Sequence, residues 1–143
     1  WGPDQTVEAT VYTVNQNDSI SEEVELRLRS TLSPNRCTGY EVLFSARSST
    51  SAYIQIVRWN GAIGNFTVLT PVSYSLPMGI NTGDVVKATI VGDMITAYVN
   101  GVQKYQAIDS TYSDGSPGMG FYLSGAFGVS GDYGFTRFSA SSN

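Results

Sequence analysis

Two tight-turn dipeptides, Gly92-Asp93 and Asn100-Gly101, punctuate the stretch Gly83–Tyr105, GDVVKATIVGDMITAYVNGVQKY. Asn-Gly is the strongest short hairpin signal, because both central residues of a type I′ turn need positive φ. Gly92-Asp93 is a weaker pair of the same kind. Around them Val85–Val91, Met94–Val99 and Val102–Tyr105 read as three strands of a meander. In the middle one Ile95, Ala97 and Val99 point one way and Met94, Thr96 and Tyr98 the other. An isolated meander is marginal in water, so the rest of the chain must supply a second layer.

The remaining segments meet that demand with strands. Gln5–Val14 alternates Val7, Ala9, Val11 and Thr13 against Glu8, Thr10 and Tyr12. After a polar turn at Asn15–Ser19, Glu22–Ser30 places Val24, Leu26 and Leu28 inward. Glu23, Glu25, Arg27 and Arg29 then face outward, and the strict period of two favours strand over helix. Ser33–Gly39 reads as a loop, followed by a strand over Tyr40–Arg47 with Tyr40, Val42, Phe44 and Ala46 on one side. Ser48–Ser51 is a turn. In the strand Ala52–Trp59, Ile54 and Ile56 oppose Tyr53, Gln55, Val57 and Trp59, and Asn60-Gly61 is expected to close it.

Asn65–Val72 is a fifth strand and Tyr74–Asn81 is irregular. Ile108–Pro117 reads as a loop, Met119–Leu123 and Tyr133–Ala140 as the last strands, and Ser124–Asp132 as a glycine-rich connection. Evenly spaced short strands with turn signals and no convincing helix predict a single all-β sandwich or barrel domain over residues 1–143.

Charged residues make up only 14% of the 143 residues, against 41% hydrophobic, and nine tyrosines are present. That mix suits a secreted or surface-displayed, turn-rich β-protein, and the chain opening at Trp1 reads as a processed product or an excised domain. A net charge of −4 without a basic cluster excludes the electrostatic footprint of a nucleic-acid binder. No apolar run has the length of a membrane-spanning helix. Histidine is absent, which removes Ser-His-Asp and Cys-His nucleophiles, histidine bases and histidine metal ligands. Cys37 is the single cysteine, so no intramolecular disulfide exists. It reads as a half-buried small residue or as a bond to another chain, and strand edges are the other route to self-association.

Gly83-Asp84, then Val91–Gly101 (VGDMITAYVNG), Asp109, Pro117-Gly118-x-Gly120-Phe121 and the closing Asp132–Ser139 (DYGFTRFS) together resemble the concanavalin A-like lectin/glucanase superfamily. The likeness is to its laminin-G-like and carbohydrate-binding branches. It spans the C-terminal half and, more loosely, Tyr40–Val68. It implies a two-sheet antiparallel jelly roll in which one hairpin ends in Asn-Gly and the Gly-x-Gly-aromatic strand enters the opposite sheet. It also implies that the concave sheet is the sugar-binding surface, and that calcium is the cofactor to look for.

Sugars present apolar C–H faces and polar rims, so their recognition combines an aromatic platform with amide, guanidinium and carboxylate hydrogen bonds. Tyr53, Gln55, Trp59 and Asn60, with Arg58 beside them and Arg47 approaching from the neighbouring strand, form the candidate ligand-binding group. Tyr98 and Tyr122 are candidates to complete it. For calcium, which needs six to eight oxygens, Asp109, Asp114, Asp132 and the segment Asn15–Asp18 offer ligands, though no spacing matches a calcium loop and Asx-turns explain them as well. Asn17 and Asn65 fit the N-glycosylation pattern, which matters only for a eukaryotic secreted source.

Catalysis finds less support. A glycosidase needs two carboxyl groups flanking the scissile bond. The Glu-x-Asp-x-(x)-Glu pattern of the glucanase branch is missing from Ser21–Leu26, and Glu23 and Glu25 read as a solvated charged face alternating with Arg27 and Arg29, with Glu41 on a neighbouring strand. Glu25-Leu26-Arg27 and Gln55-Ile56-Val57 faintly resemble two alginate-lyase motifs, but the tyrosine-bearing third is absent from Gly131–Ser139. The expectation is therefore a non-catalytic, extracellular or surface carbohydrate-binding module, taking a poly- or oligosaccharide. The alternatives are a structural or adhesive module of a surface assembly, filament or virion, and a small polysaccharide lyase or hydrolase.

Overall fold

Wherever apolar residues recur at every second position, the chain is extended. The structure is a computed structural model that describes residues 1–47, 51–71, 79–125 and 128–143. Its strands are β1 (Gln5–Thr13), β2 (Ser21–Ser33), β3 (Arg36–Ser45), β4 (Ile54–Ala62) and β5 (Phe66–Val68), then β6 (Val85–Val91), β7 (Met94–Val99), β8 (Val102–Ile108), β9 (Ser116–Ser124) and β10 (Tyr133–Ser142). Two five-stranded antiparallel sheets result, ordered β10-β1-β6-β7-β8 and β5-β4-β3-β2-β9. Among the described residues there is no helix, hence none long and apolar enough to cross a membrane.

The inner rows are those that the alternation marks. Val7, Ala9 and Val11 of β1 pack with Val86, Ala88 and Ile90 of β6 and Ile95 and Ala97 of β7. Facing them are Val24, Leu26 and Leu28 of β2, Tyr40, Val42 and Phe44 of β3, and Ile54 and Ile56 of β4, all fully or almost fully buried. Burial of these rows is the main force holding the two layers together. The β6–β8 meander forms as its turns require, with Asn100 at φ 51° and Gly101 at φ 77°. As the superfamily likeness implies, β9 crosses to the opposite sheet. The last strand, β10, pairs with β1. The architecture is a two-sheet antiparallel jelly-roll sandwich.

Three local expectations are corrected. Asn60-Gly61 does not close a hairpin: both residues lie inside β4, paired with Thr38 and Cys37, and the turn moves on to Ile63-Gly64. The positive φ of Gly61, 118°, instead leaves room for the Arg36 guanidinium, which a side chain there would strike. Ser33–Gly39 is not a loop but the tip of a long hairpin turning at Pro34-Asn35, with Thr31, Leu32 and Ser33 paired to Thr38, Cys37 and Arg36. The third concerns Arg29. A register break between Leu28 and Thr31 puts it at φ 46° and turns it away from solvent. The fifth strand ends at Val68, short of the expected Val72, while most of the expected turn at Ser48–Ser51, most of the segment from Tyr74 and part of the Ser124–Asp132 connection fall on residues outside those described.

Candidate functional site

The outer face of the β5-β4-β3-β2-β9 sheet carries a groove of about 400 Å³. Its position follows from register. Across the sheet Tyr122 sits opposite Glu23, Glu25 opposite Leu43 and Leu43 opposite Gln55; one row further, Arg27 faces Glu41, Glu41 faces Val57 and Trp59 faces Phe66. Leu43 and Val57 form an apolar floor, Trp59 and Phe66 one wall, Tyr122 the other, and Glu23, Glu25, Glu41 and Gln55 supply the polar groups. The Trp59 and Phe66 rings meet at 5.4 Å, tilted by 56°.

Trp59 is held in place. Its indole N–H donates to Glu41 Oε2 at 2.7 Å, and the Arg27 guanidinium lies 5.6 Å from its ring centroid. Arg27 Nη2 also lies 2.7 Å from both Glu25 Oε2 and Glu41 Oε2, and its Nη1 donates to Cys37 Sγ at 3.0 Å. The space for this ion pair is made by β9, where a side chain on Gly120 would run into the Glu25 carboxylate and the Arg27 guanidinium.

Burial changes the chemistry of these acids. Glu23, Glu25 and Glu41 are 8%, 5% and 2% exposed, so the expectation of a solvated charged face is corrected. Burial foremost, then the Glu25 charge, push the Glu41 carboxyl up to about 8, against the pull of Arg27 and of the indole N–H. Glu23 is likewise raised, by burial first, with the Tyr53 hydroxyl opposing and the Glu25 charge adding. Burial also raises the Cys37 thiol, with Arg27 opposing. At 2% exposure Cys37 is a core residue turned toward Arg27 and offers no thiol to a neighbouring chain.

The residues expected to form the site divide into three places. Trp59, Gln55 and Tyr122 line the groove. Tyr53 lies at its end, where its hydroxyl donates to Glu23 Oε1 and the Arg47 guanidinium is 5.8 Å from its ring. Arg47 itself is anchored through Nε to the Ile20 carbonyl at 3.0 Å and through Nη2 to Ser21 Oγ.

Arg58 and Asn60 are not on this surface. Strand alternation sends them to the other face of β4, where Arg58 Nη1 pairs with Asp109 Oδ2 at 2.6 Å and Arg58 Nε donates to Asn60 Oδ1 at 3.0 Å. Tyr98 lies on the opposite sheet, its ring 4.5 Å from Lys87 Nζ. Sequence reasoning gave Glu41 no role at the site, and it missed Arg27, Leu43 and Phe66. An apolar Leu43 out of phase with the inward Val42 and Phe44 was the available sign that this face is not simply solvated.

The calcium candidates do not converge. Asp109 is taken up by Tyr40 Oη at Oδ1 (2.8 Å), the Thr111 N–H at Oδ1 (2.9 Å) and Arg58. Burial works against its charge, yet these donors bring it below the ordinary carboxylate range. Asp114 is exposed, and Asp132 accepts from Asn15 Nδ2 at 3.2 Å. Among the described residues no three acidic or cysteine side chains are grouped to hold a metal ion. Asn17 and Asn65 are both exposed.

No family model and no curated protein matches the sequence. Solved structures do match. The carbohydrate-binding module CBM66 from Bacillus subtilis aligns with a TM-score of 0.60 and 19% identity, over 97% of this chain and 71% of that one. Sheep galectin-11, in complex with glycerol, aligns with a TM-score of 0.60 and 8% identity, over 99% and 92%. Bacillus licheniformis β-glucanase aligns with a TM-score of 0.51 and 16% identity, over 98% and 63%. At such identities the likeness is one of fold. Sandwich topology, the crossing of β9 and these neighbours agree, and the chain has the two-sheet jelly-roll fold that these proteins share.

Proposed function

We propose that this protein is a non-catalytic carbohydrate-binding module, extracellular or surface-borne, that takes an oligosaccharide in the groove of the β5-β4-β3-β2-β9 sheet. The observation that carries this reading is the oriented Trp59, pinned by Glu41 at 2.7 Å beside Phe66, across an apolar floor from Tyr122. A pyranose C–H face stacks on such a platform, while Gln55 and the carboxylates meet its hydroxyls. Structural neighbours that include a carbohydrate-binding module and a galectin support the same reading. Glu25, ion-paired with Arg27 at 2.7 Å, is not the free second carboxylate that glycoside hydrolysis needs, which supports binding without catalysis.

Isothermal titration against a glycan panel tests the proposal. Trp59→Ala is expected to weaken binding by at least about tenfold, the cost of losing one buried aromatic contact. Tyr122→Ala should weaken it less, and Arg58→Ala and Tyr98→Ala should leave it unchanged. Undiminished affinity in Trp59→Ala overturns the proposal.

A further inference from the structure

The groove is lopsided in charge. Its lining presents three carboxylates, Glu23, Glu25 and Glu41, one neutral amide, Gln55, and no lysine or arginine. The two nearby guanidinium groups are already committed. Arg27 bridges Glu25 and Glu41 and reaches Cys37, and Arg47 at the rim is bound to the Ile20 carbonyl and Ser21. One cation thus serves the cluster within bonding distance, and burial together with the Glu25 charge raises the Glu41 carboxyl. Gln55 completes the picture, lining the groove with a side-chain amide that makes no hydrogen bond among the described residues.

Resting on the carbohydrate-binding reading above, we propose that the sugar this groove selects is cationic. It is a hexosamine unit with a free ammonium group, stacked on Trp59 with that ammonium on Glu23 and Glu25, in preference to neutral, N-acetylated or acidic sugars. The physical reason is substitution. An ammonium donating charge-assisted hydrogen bonds to the cluster supplies the positive charge that a proton on the raised Glu41 carboxyl supplies in the free protein. The Glu41 carboxyl is then free to ionise against Arg27 and the indole N–H. A uronate would bring a fourth carboxylate against the existing three and is rejected. An N-acetyl group removes the charge and leaves the acids unrelieved. Association of the ammonium sugar therefore releases a proton from the Glu41 carboxyl to the buffer, and association of a neutral sugar does not.

The test is calorimetric titration of the intact protein with matched gluco- and galacto-configured oligosaccharides that carry a hydroxyl, an acetamido or an ammonium group at C2. It is run at about pH 6, where such an amine is charged. The ammonium series is expected to bind at least about tenfold more tightly than its neutral counterparts, as a charge-assisted contact implies. Glu23→Gln/Glu25→Gln should erase that preference, bringing the ammonium series to the same affinity as its neutral counterparts measured on the same variant. Near neutral pH, titration in two buffers of different ionisation enthalpy should show proton release with the ammonium series alone.

Tight binding of the hydroxyl or acetamido series without preference for ammonium overturns this inference and leaves the carbohydrate reading standing. An ammonium preference that survives Glu23→Gln/Glu25→Gln also overturns it, as general attraction to an acidic protein. No binding by any series, at any configuration, overturns both.

Discussion

Arg27 and Arg29 stand on the same strand, one residue between them, and both are withdrawn from water, with side chains 13% and 4% exposed. They are neutralised by different chemistry. Arg27 meets titratable partners: Glu25 and Glu41 at 2.7 Å and the Cys37 sulfur. Arg29 meets the backbone. Its Nε donates to the Pro3 carbonyl at 2.7 Å, Nη1 to Tyr112 at 2.8 Å and Nη2 to Gly92 at 2.7 Å, while Asp4 stands off at 3.8 Å. Its own amide is held by Gln5 Oε1 at 2.8 Å. One guanidinium sits among acids, of which Glu41 is held well above the usual carboxylate range by burial. The other is a clamp joining the N-terminus, the β6–β7 turn and the β8–β9 connection through backbone carbonyls. Whether a buried cation is paired with carboxylates or with carbonyls decides whether its surroundings can switch.

Breaking the clamp is expected to have the largest effect. Arg29→Met leaves three carbonyls without their donor and should cost roughly 3–5 kcal/mol in urea unfolding. Arg29→Lys should recover only part of it, since an ammonium lacks the planar fork that reaches three separate carbonyls. If Arg29→Met unfolds at the wild-type midpoint, the clamp is ornamental and the contrast with Arg27 collapses.

Next comes the pH response of the groove. The Glu41 carboxyl lies above its unfolded value, so between about pH 4.5 and 8 the folded chain holds more proton than the unfolded one. Its contribution is fully present below the unfolded pKa and is lost as pH rises through the folded one. Stability should accordingly fall by roughly 2–4 kcal/mol from about pH 5 to 9 by linkage. Glu41→Gln should flatten that slope, and Arg29→Lys should leave it intact. A wild-type slope identical to that of Glu41→Gln would remove Glu41 from the account.

Gly120→Ala probes the same cluster from β9. A methyl group there displaces the Glu25–Arg27 pair, and overpacking of this kind costs about 1–3 kcal/mol. The alkaline loss should become steeper as Arg27 moves away from the acids, which a pH series of unfolding midpoints would reveal. The smallest effect is expected on the opposite sheet. Lys87, half-exposed over Tyr98 at 4.5 Å, represents a cation that was never buried. Lys87→Ala should change stability by about 0.5 kcal/mol, and a loss as large as that of Arg29→Met would show that burial is not what separates the arginines.

Much of the molecule was legible in advance, and the groove only in fragments. Val24, Leu26 and Leu28 announced their inward face, and Asn100-Gly101 its turn, because period and turn chemistry are properties of a few consecutive residues. The same dipeptide at Asn60-Gly61 misled, because the β3–β4 ladder continues through it to Arg36 and Ala62. Arg58 was grouped with Trp59 by adjacency in the chain, yet neighbouring strand residues face opposite ways. Glu23, Glu25 and Arg27 were assigned to the outer face correctly and to solvent wrongly.

The sequence by itself determined the all-β class, the antiparallel meander, the core rows and the absence of histidine chemistry, since each is written in local spacing or in composition. Only the tertiary structure decided that the outer face of one sheet is a groove instead of a solvated surface. Period two states which side of a strand a residue occupies, but whether that side is wet depends on strands far away in the chain. Here it is β9, bare at Gly120, together with β3 and β4, that carries Glu41, Leu43 and Trp59 up to Glu25 and Arg27 and turns a charged face into a buried one.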